Sequence, residues 1–239
     1  MQPTARTLPA LLLLADGRFP AGGHAHSGGF EAAAQREGID DVDALEQFLL
    51  GRLHTAGLLA AAFSSASCHA FARSIEVTGG SDVGDRLDRY DQELSARTPS
   101  PVLRVVSRRL GRQVIRVARR VWPSEALERL AKVPGAGLHQ PIAFGAVAAA
   151  AGLSPEICAV AAAQESIAGP ATASVRLLGL DPFDVNATLA RLSDEVGRVA
   201  ADGAAYAASP PEDLPARAGY LLDISAEAHA TWEVRLFAS

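Results

Sequence analysis

The chain has little cysteine, lysine or aromatic residue. Only two cysteines occur, Cys68 and Cys158, far apart and without CxxC spacing. That excludes a disulfide framework or a cysteine zinc finger, and fits two small thiols buried in a reducing compartment. Lys132 is the one lysine among 22 basic residues, and no Gly-Lys-Ser/Thr follows any glycine-rich stretch, so a phosphate-binding P-loop is excluded. Aromatic residues make up 5%, few for a strand-rich protein. The longest apolar run, 142–153, is mostly alanine and glycine and falls short of the ~20 residues a membrane span needs. The short apolar run 11–14 meets Asp16 and Arg18 with no small-x-small site behind it, unlike a signal peptide. A formal net charge of −5 does not describe a general nucleic-acid binder. No membrane association and a cytoplasmic location are expected.

What is abundant is alanine, within a hydrophobic share of 49%. Alanine is the best helix former, and the segments carry helical grammar. Residues 8–15 read as a short helix, and 28–36 as another, with Ser27 as cap and Glu31 in its first turn. Residues 41–73 hold one or two alanine-rich helices, with Asp41 or Asp43 as cap and Gly57 as a soft point. In 102–122, Leu103, Val106, Leu110, Val114, Val117 and Val121 recur at three- and four-residue steps on one face. Arg104, Arg108, Arg112, Arg116 and Arg120 recur every four residues beside them. Ser124, Ser154-Pro155 and Asp181-Pro182 announce further helix starts, as does Pro141 in a first turn. No segment alternates as a strand does. The pattern predicts a single-domain, all-α bundle of about ten helices over 1–239, with 1–6 flexible and 207–215 a connector. The apolar end of 219–239 needs a surface to dock on.

The first candidate for chemistry is the loop 19–31, which reads Phe-Pro-Ala-Gly-Gly-His-Ala-His-Ser-Gly-Gly-Phe-Glu. Ser27 sits in Ala25-His26-Ser27-Gly28-Gly29, near the G-x-S-x-G of a nucleophile elbow. That elbow requires a preceding strand and an α/β sheet, so a serine hydrolase is the weaker alternative, beside an unrelated helical binding module. His24 and His26 point the same way if the loop is extended, but two ligands are too few for a tight metal site. The arginine row has acidic company upstream in Asp82, Asp85, Asp88, Asp91 and Glu93, which fits pairing across a helix hairpin. Arg104 and Arg112 suit bidentate bonds to loop carbonyls or carboxylates.

Several of these segments, taken in order, resemble one family. The run 12–31, above all Phe19-Pro20-Ala21-Gly22-Gly23 with His26-Ser27-Gly28-Gly29 and Glu31, is similar to the N-terminal signature of the urease accessory protein UreF family. It departs at His24 and Phe30. Arg104, Ser107, Gly111 and Arg112 resemble the family's R-x-x-S-x-x-x-G-R segment. His139, Pro141, Gly145, Gly152 and Leu153 resemble its H-x-P-x-x-x-G segment and the turn after it. Arg176-Leu177-Leu178-Gly179-Leu180 and the ending Arg235-Leu236-Phe237-Ala238-Ser239 match two more, although Ala238 stands where arginine is frequent. The resemblance implies an all-α, non-catalytic scaffold that binds UreD (also called UreH), recruits the GTPase UreG and helps insert nickel into the urease apoprotein, often as a homodimer. It implies no cofactor of its own, with nickel passing through the complex and His24 and His26 as transient ligands. On that reading Gly22, Gly23, His26, Ser27, Glu31, Arg235, Leu236 and Phe237 bind partners, and Arg104, Arg112, His139 and Arg176 are structural or interface residues.

Overall fold

A computed structural model describes residues 7–132, 135–217 and 219–237, and every regular element in them is a helix. Twelve α-helices follow one another: α1 (Thr7–Leu14), α2 (Phe30–Glu37), α3 (Val42–Arg52), α4 (Leu58–Thr78), α5 (Val83–Ala96), α6 (Pro101–Val121), α7 (Glu125–Leu130), α8 (Gln140–Ala150), α9 (Pro155–Leu178), α10 (Pro182–Arg191), α11 (Ser193–Ala204) and α12 (Tyr220–Ala230). The expectation of flexible residues 1–6 lies outside the described residues.

Side-chain caps set five of the twelve starts. Asp41 accepts from the Ala44 N–H at 2.8 Å, Ser100 from Leu103 at 3.1 Å, Ser124 from Leu127 at 3.2 Å, and Asp181 from Phe183 at 2.8 Å. Each satisfies an amide that the helix itself leaves without an acceptor. Between α3 and α4 the helix does not break at Gly57. It widens into a π-helical turn, Leu53–Gly57, and continues. A β-carbon on Gly57 would lie 2.8 Å from the Ser166 Oγ on α9, so the bare glycine lets that helix approach.

The stretch Val42–Val77 is long and apolar enough to cross a membrane by length and composition, but 67% of its most apolar window is buried in this protein. Its second half, α4, is the central helix, packed by α8, α9, α11 and α5. Small residues permit that crowding. A β-carbon on Gly145 of α8 would fall 2.3 Å from the Ser64 carbonyl oxygen of α4. One core lies around α4 and α8, with Phe63, Phe71, Leu87, Leu127 and Ile142. A second lies around α3 and α9, with Phe30, Leu45, Leu49, Ile167 and Phe237. Cys68 and Cys158 are free and buried against each other, and burial, then the neighbouring thiol, pushes Cys158 up.

Candidate functional site

The loop 19–31 folds back on the body and its last residue grips the far end of the chain. Gly28 and Gly29 take positive φ (62° and 87°), a backbone that side chains disfavour, and turn the chain into α2. Ser27 is fully buried, and its Oγ accepts the Glu31 N–H at 3.2 Å. Glu31 is 4% exposed. Its Oε1 accepts the Leu236 N–H at 2.8 Å, while Oε2 accepts the Phe237 N–H at 3.0 Å and the Nε2 of His229 on α12 at 2.9 Å. A buried carboxylate holding three donors is a strong anchor, because charge-assisted hydrogen bonds are about twice as strong as neutral ones. Phe237 then inserts into the second core, with the Arg176 guanidinium 4.8 Å from its ring centre. Glu31, Arg176 and Phe237, from three separate sequence segments, thus form one clasp. His229 completes it. No sequence pattern marks His229, an isolated histidine among alanines.

Sequence analysis placed Phe237 among partner-binding residues; in this structure its ring is in the chain's own interior. Leu236 and Arg235 face outward, Leu236 at 66% exposure. Apolar residues at a chain end have two ways to leave water, and here the clasp decides between them. Gly22 lies against the side chain of Gln113 on α6. His26 is half-buried, and the side chain of His24 lies outside the described residues.

The arginine row of α6 divides. Arg104 donates to the Thr98 and Pro99 carbonyls at 2.6 and 2.8 Å, and Arg112 donates to the Ala136 carbonyl. Ser107 Oγ accepts the Gln140 N–H at 3.0 Å. Gly111 is where α6 meets the chain before α8, since a β-carbon there would lie 2.1 Å from the Leu138 oxygen. Ser107, Gly111 and Arg112 hold the approach to α8, while Arg104 holds the turn that leads into α6 itself. Of the upstream acids, Asp91 alone crosses to the row, pairing with Arg108 at 2.6 Å and accepting the His139 N–H at 2.6 Å. Asp82 and Glu93 pair instead within their own helix region, with Arg86 and Arg97, so the expected hairpin of pairs reduces to one. Burial pushes the Asp91 carboxyl up, against the pull of the His139 amide and Arg108.

His139 is 1% exposed, and burial with Arg108 and Arg104 nearby lowers it to about 3. Its Nε2 lies 3.0 Å from Ser95 Oγ, a grouping that looks like part of a hydrolytic triad. The polarity is wrong. The Ser95 Oγ donates to the Asp91 carbonyl at 2.9 Å and accepts from the Arg108 guanidinium at 2.9 Å, so the hydroxyl is engaged without the imidazole. Asp91 bonds the histidine's backbone rather than its ring. Nothing there withdraws a proton from serine, as a nucleophile's base must. Ser27 fares no better as a nucleophile, since it follows a loop and a 3₁₀ turn, not a strand.

One further anchor escaped the sequence. Pro170 lies inside α9 and has no N–H for the Ser166 carbonyl one turn back. Arg52 supplies the missing donor, with Nε 2.8 Å from that oxygen, and burial lowers its guanidinium to about 10. The signal was a proline within a helical pattern, which marks an orphaned carbonyl four residues earlier. Among the described residues no three of histidine, cysteine, aspartate and glutamate come together as metal ligands.

Comparison with known proteins follows the same segments. The UreF family model matches residues 39–193. The urease accessory protein UreF of Mycobacterium sp. (strain JLS) is 41% identical over 236 residues, covering 98% of this chain and 99% of that protein. That of Mycolicibacterium vanbaalenii is 37% identical over 233 residues, covering 98% and 99%. That of Mycobacterium tuberculosis (strain ATCC 25618 / H37Rv) is 38% identical over 208 residues, covering 87% and 90%.

Proposed function

The chain belongs to the urease accessory protein UreF family, and on that premise we propose that it is a scaffold joining UreD (UreH) and the GTPase UreG for nickel delivery to the urease apoprotein. Its class is that of a non-catalytic urease accessory protein. A scaffold acts through effective concentration, by keeping two partners within reach of each other, and makes no bond itself. Nickel is cargo on this reading, and His24 and His26 are its nominated transient ligands. The working site is the cytoplasm, and the working form is a homodimer within the assembly.

The observation that carries the proposal is the clasp. Glu31 fastens the C-terminal segment to the N-terminal loop, so that Arg235 and Leu236 stand outside on a fixed base. An exposed leucine beside an arginine on a fixed support is a fitting anchor for a protein neighbour. The test is co-expression of the tagged chain with UreD and UreG from the same operon, followed by affinity and size-exclusion chromatography. Both partners are expected to travel with the wild type. Leu236→Glu is expected to release UreD while circular dichroism stays unchanged. A wild-type chain that retains neither partner overturns the proposal.

A further inference from the structure

Most arginines of this chain with a nearby acid take it. Arg108 pairs with Asp91, Arg119 with Glu128, Arg191 with Glu46 and Arg198 with Glu195. The outer face of α6 gathers four that do not. Arg109, Arg112, Arg116 and Arg120 are all exposed and follow one another at steps of three and four, which keeps them on one side of the helix. Arg112 reaches only a carbonyl, and Arg109, Arg116 and Arg120 have no ion-pair partner among the described residues. From Arg109 to Arg120 the ridge runs about 16 Å at 1.5 Å per residue. Like charges one turn apart oppose the helix by about 0.2–0.5 kcal/mol per pair, so the ridge does not serve the fold. The chain is not short of acids, having 27 against 22 bases; they are simply not placed here.

The surroundings distinguish among polyanions. One turn before Arg109 on the same face stands Val105, 68% exposed. At that same end of α6, α12 is tied to the first turn: Glu227 accepts the Val102 N–H at 3.0 Å and Asp223 the Ser100 N–H at 3.1 Å. The α12 residues Tyr220, Leu221 and Ile224 are 69%, 67% and 56% exposed. A phosphate backbone has no use for such apolar groups, and a general nucleic-acid binder carries a basic excess that this chain lacks. Arginine next to tyrosine and aliphatic side chains is the composition of protein interfaces.

We infer that the α6 ridge, with Val105 and the outer face of α12 at its end, docks an acidic, partly apolar face of a protein partner. The identity of that partner, UreD or UreG, rests on the scaffold reading above; the acidic chemistry does not. Charge of this kind steers encounter and sets specificity, and its contribution falls as salt screens it.

The experiment compares the full-length wild type, the triple variant Arg109→Glu/Arg116→Glu/Arg120→Glu and the matching triple lysine variant. Each is titrated with purified UreD, with purified UreG and with the two together, at about 50 mM and about 300 mM salt, a range over which the screening length falls about 2.4-fold. Thermal melts first establish that the exposed substitutions leave the fold intact, and a triple glutamine variant replaces the glutamate one if they do not. The expected result is at least a tenfold loss of affinity for one partner in the glutamate variant, a wild-type affinity that weakens with salt, and near-wild-type binding by the lysine variant. Equal binding by wild type and glutamate variant, with the same salt dependence, overturns the inference and leaves the scaffold reading intact. Failure of the wild type to bind either partner overturns the scaffold reading and the partner assignment with it. Wild-type retention of a labelled RNA or DNA duplex that the glutamate variant releases, with partner binding unaltered, assigns the ridge to nucleic acid and overturns it. Loss of self-association alone in the glutamate variant assigns it to a second copy and does the same.

Discussion

Glu31 shows how much one residue can carry when its three donors come from the opposite end of the chain. With Ala at this position, the buried His229 ring and Phe237 amide and the partly buried Leu236 amide lose their acceptor. Unsatisfied buried donors cost about 1–3 kcal/mol each. Glu31→Ala is therefore expected to lower unfolding free energy by about 3 kcal/mol or more in urea titration, and Glu31→Gln by less. His139 adds a pH dependence. Its folded value of about 3 lies below the ordinary 6.5, so as pH falls the unfolded chain binds the proton first. The stability linked to this histidine is complete above about pH 6.5 and declines toward about 3, by at most ~1.4 kcal/mol per pH unit. Asp91, pushed upward by burial, works in the opposite sense at lower pH. His139→Gln is expected to be less stable at pH 7 but to lose less between pH 6.5 and 5, measured as urea midpoints; parallel curves would contradict this. At this scale the sequence was partly legible. Ser27, Glu31, Arg176 and Phe237 stood out by motif, whereas His229 did not, and no local pattern joins Glu31 to His229 and Phe237 about 200 positions away.

Helix limits were the most legible level, because caps are local chemistry. Asp41, Ser124 and Asp181 each sit one residue before a helix, as their hydrogen bonds to its first amides require. The crossings were not legible, since a glycine in a helical pattern does not say what approaches it. Two helical glycines, one at a crossing and one in the open, give opposite expectations. Gly111→Ala puts a methyl group on the Leu138 carbonyl and is expected to destabilise by about 2 kcal/mol or more. Gly51 in α3 has nothing within 4 Å, and Gly51→Ala is expected to stabilise by about 0.5–1 kcal/mol through helix propensity alone. Thermal denaturation of the two variants side by side checks both signs. The Arg52–Pro170 pair is tested by a double-mutant cycle. Arg52→Ala strands the Ser166 carbonyl, but Pro170→Ala gives that carbonyl a helical N–H, so Arg52→Ala is expected to cost about 1 kcal/mol less in the Pro170→Ala background. The arginine row likewise needed three dimensions. A four-residue step overshoots one turn, so Arg104 and Arg108 reach inward to loops while Arg116 and Arg120 remain outside.

For the whole molecule, the composition foretold the class. An alanine-rich chain with few aromatics builds its interior from closely spaced helices around α4, with glycine where they cross. What composition could not foretell is that the two chain ends share one clasp, so that residues 219–237 are part of the fold as well as a surface. Removing them would uncover the second core and strand Glu31, which makes point substitution of Leu236 the cleaner probe of docking. The central claim is that this chain enables nickel insertion without doing chemistry. The most direct measurement is the nickel content and activity of urease purified from cells that carry the complete operon, the operon lacking this chain, and the latter with the chain restored. The account predicts apo-urease without the chain and nickel-loaded, active urease on its return, with Ser27→Ala as effective as wild type. Fully loaded urease in cells that lack the chain would contradict it.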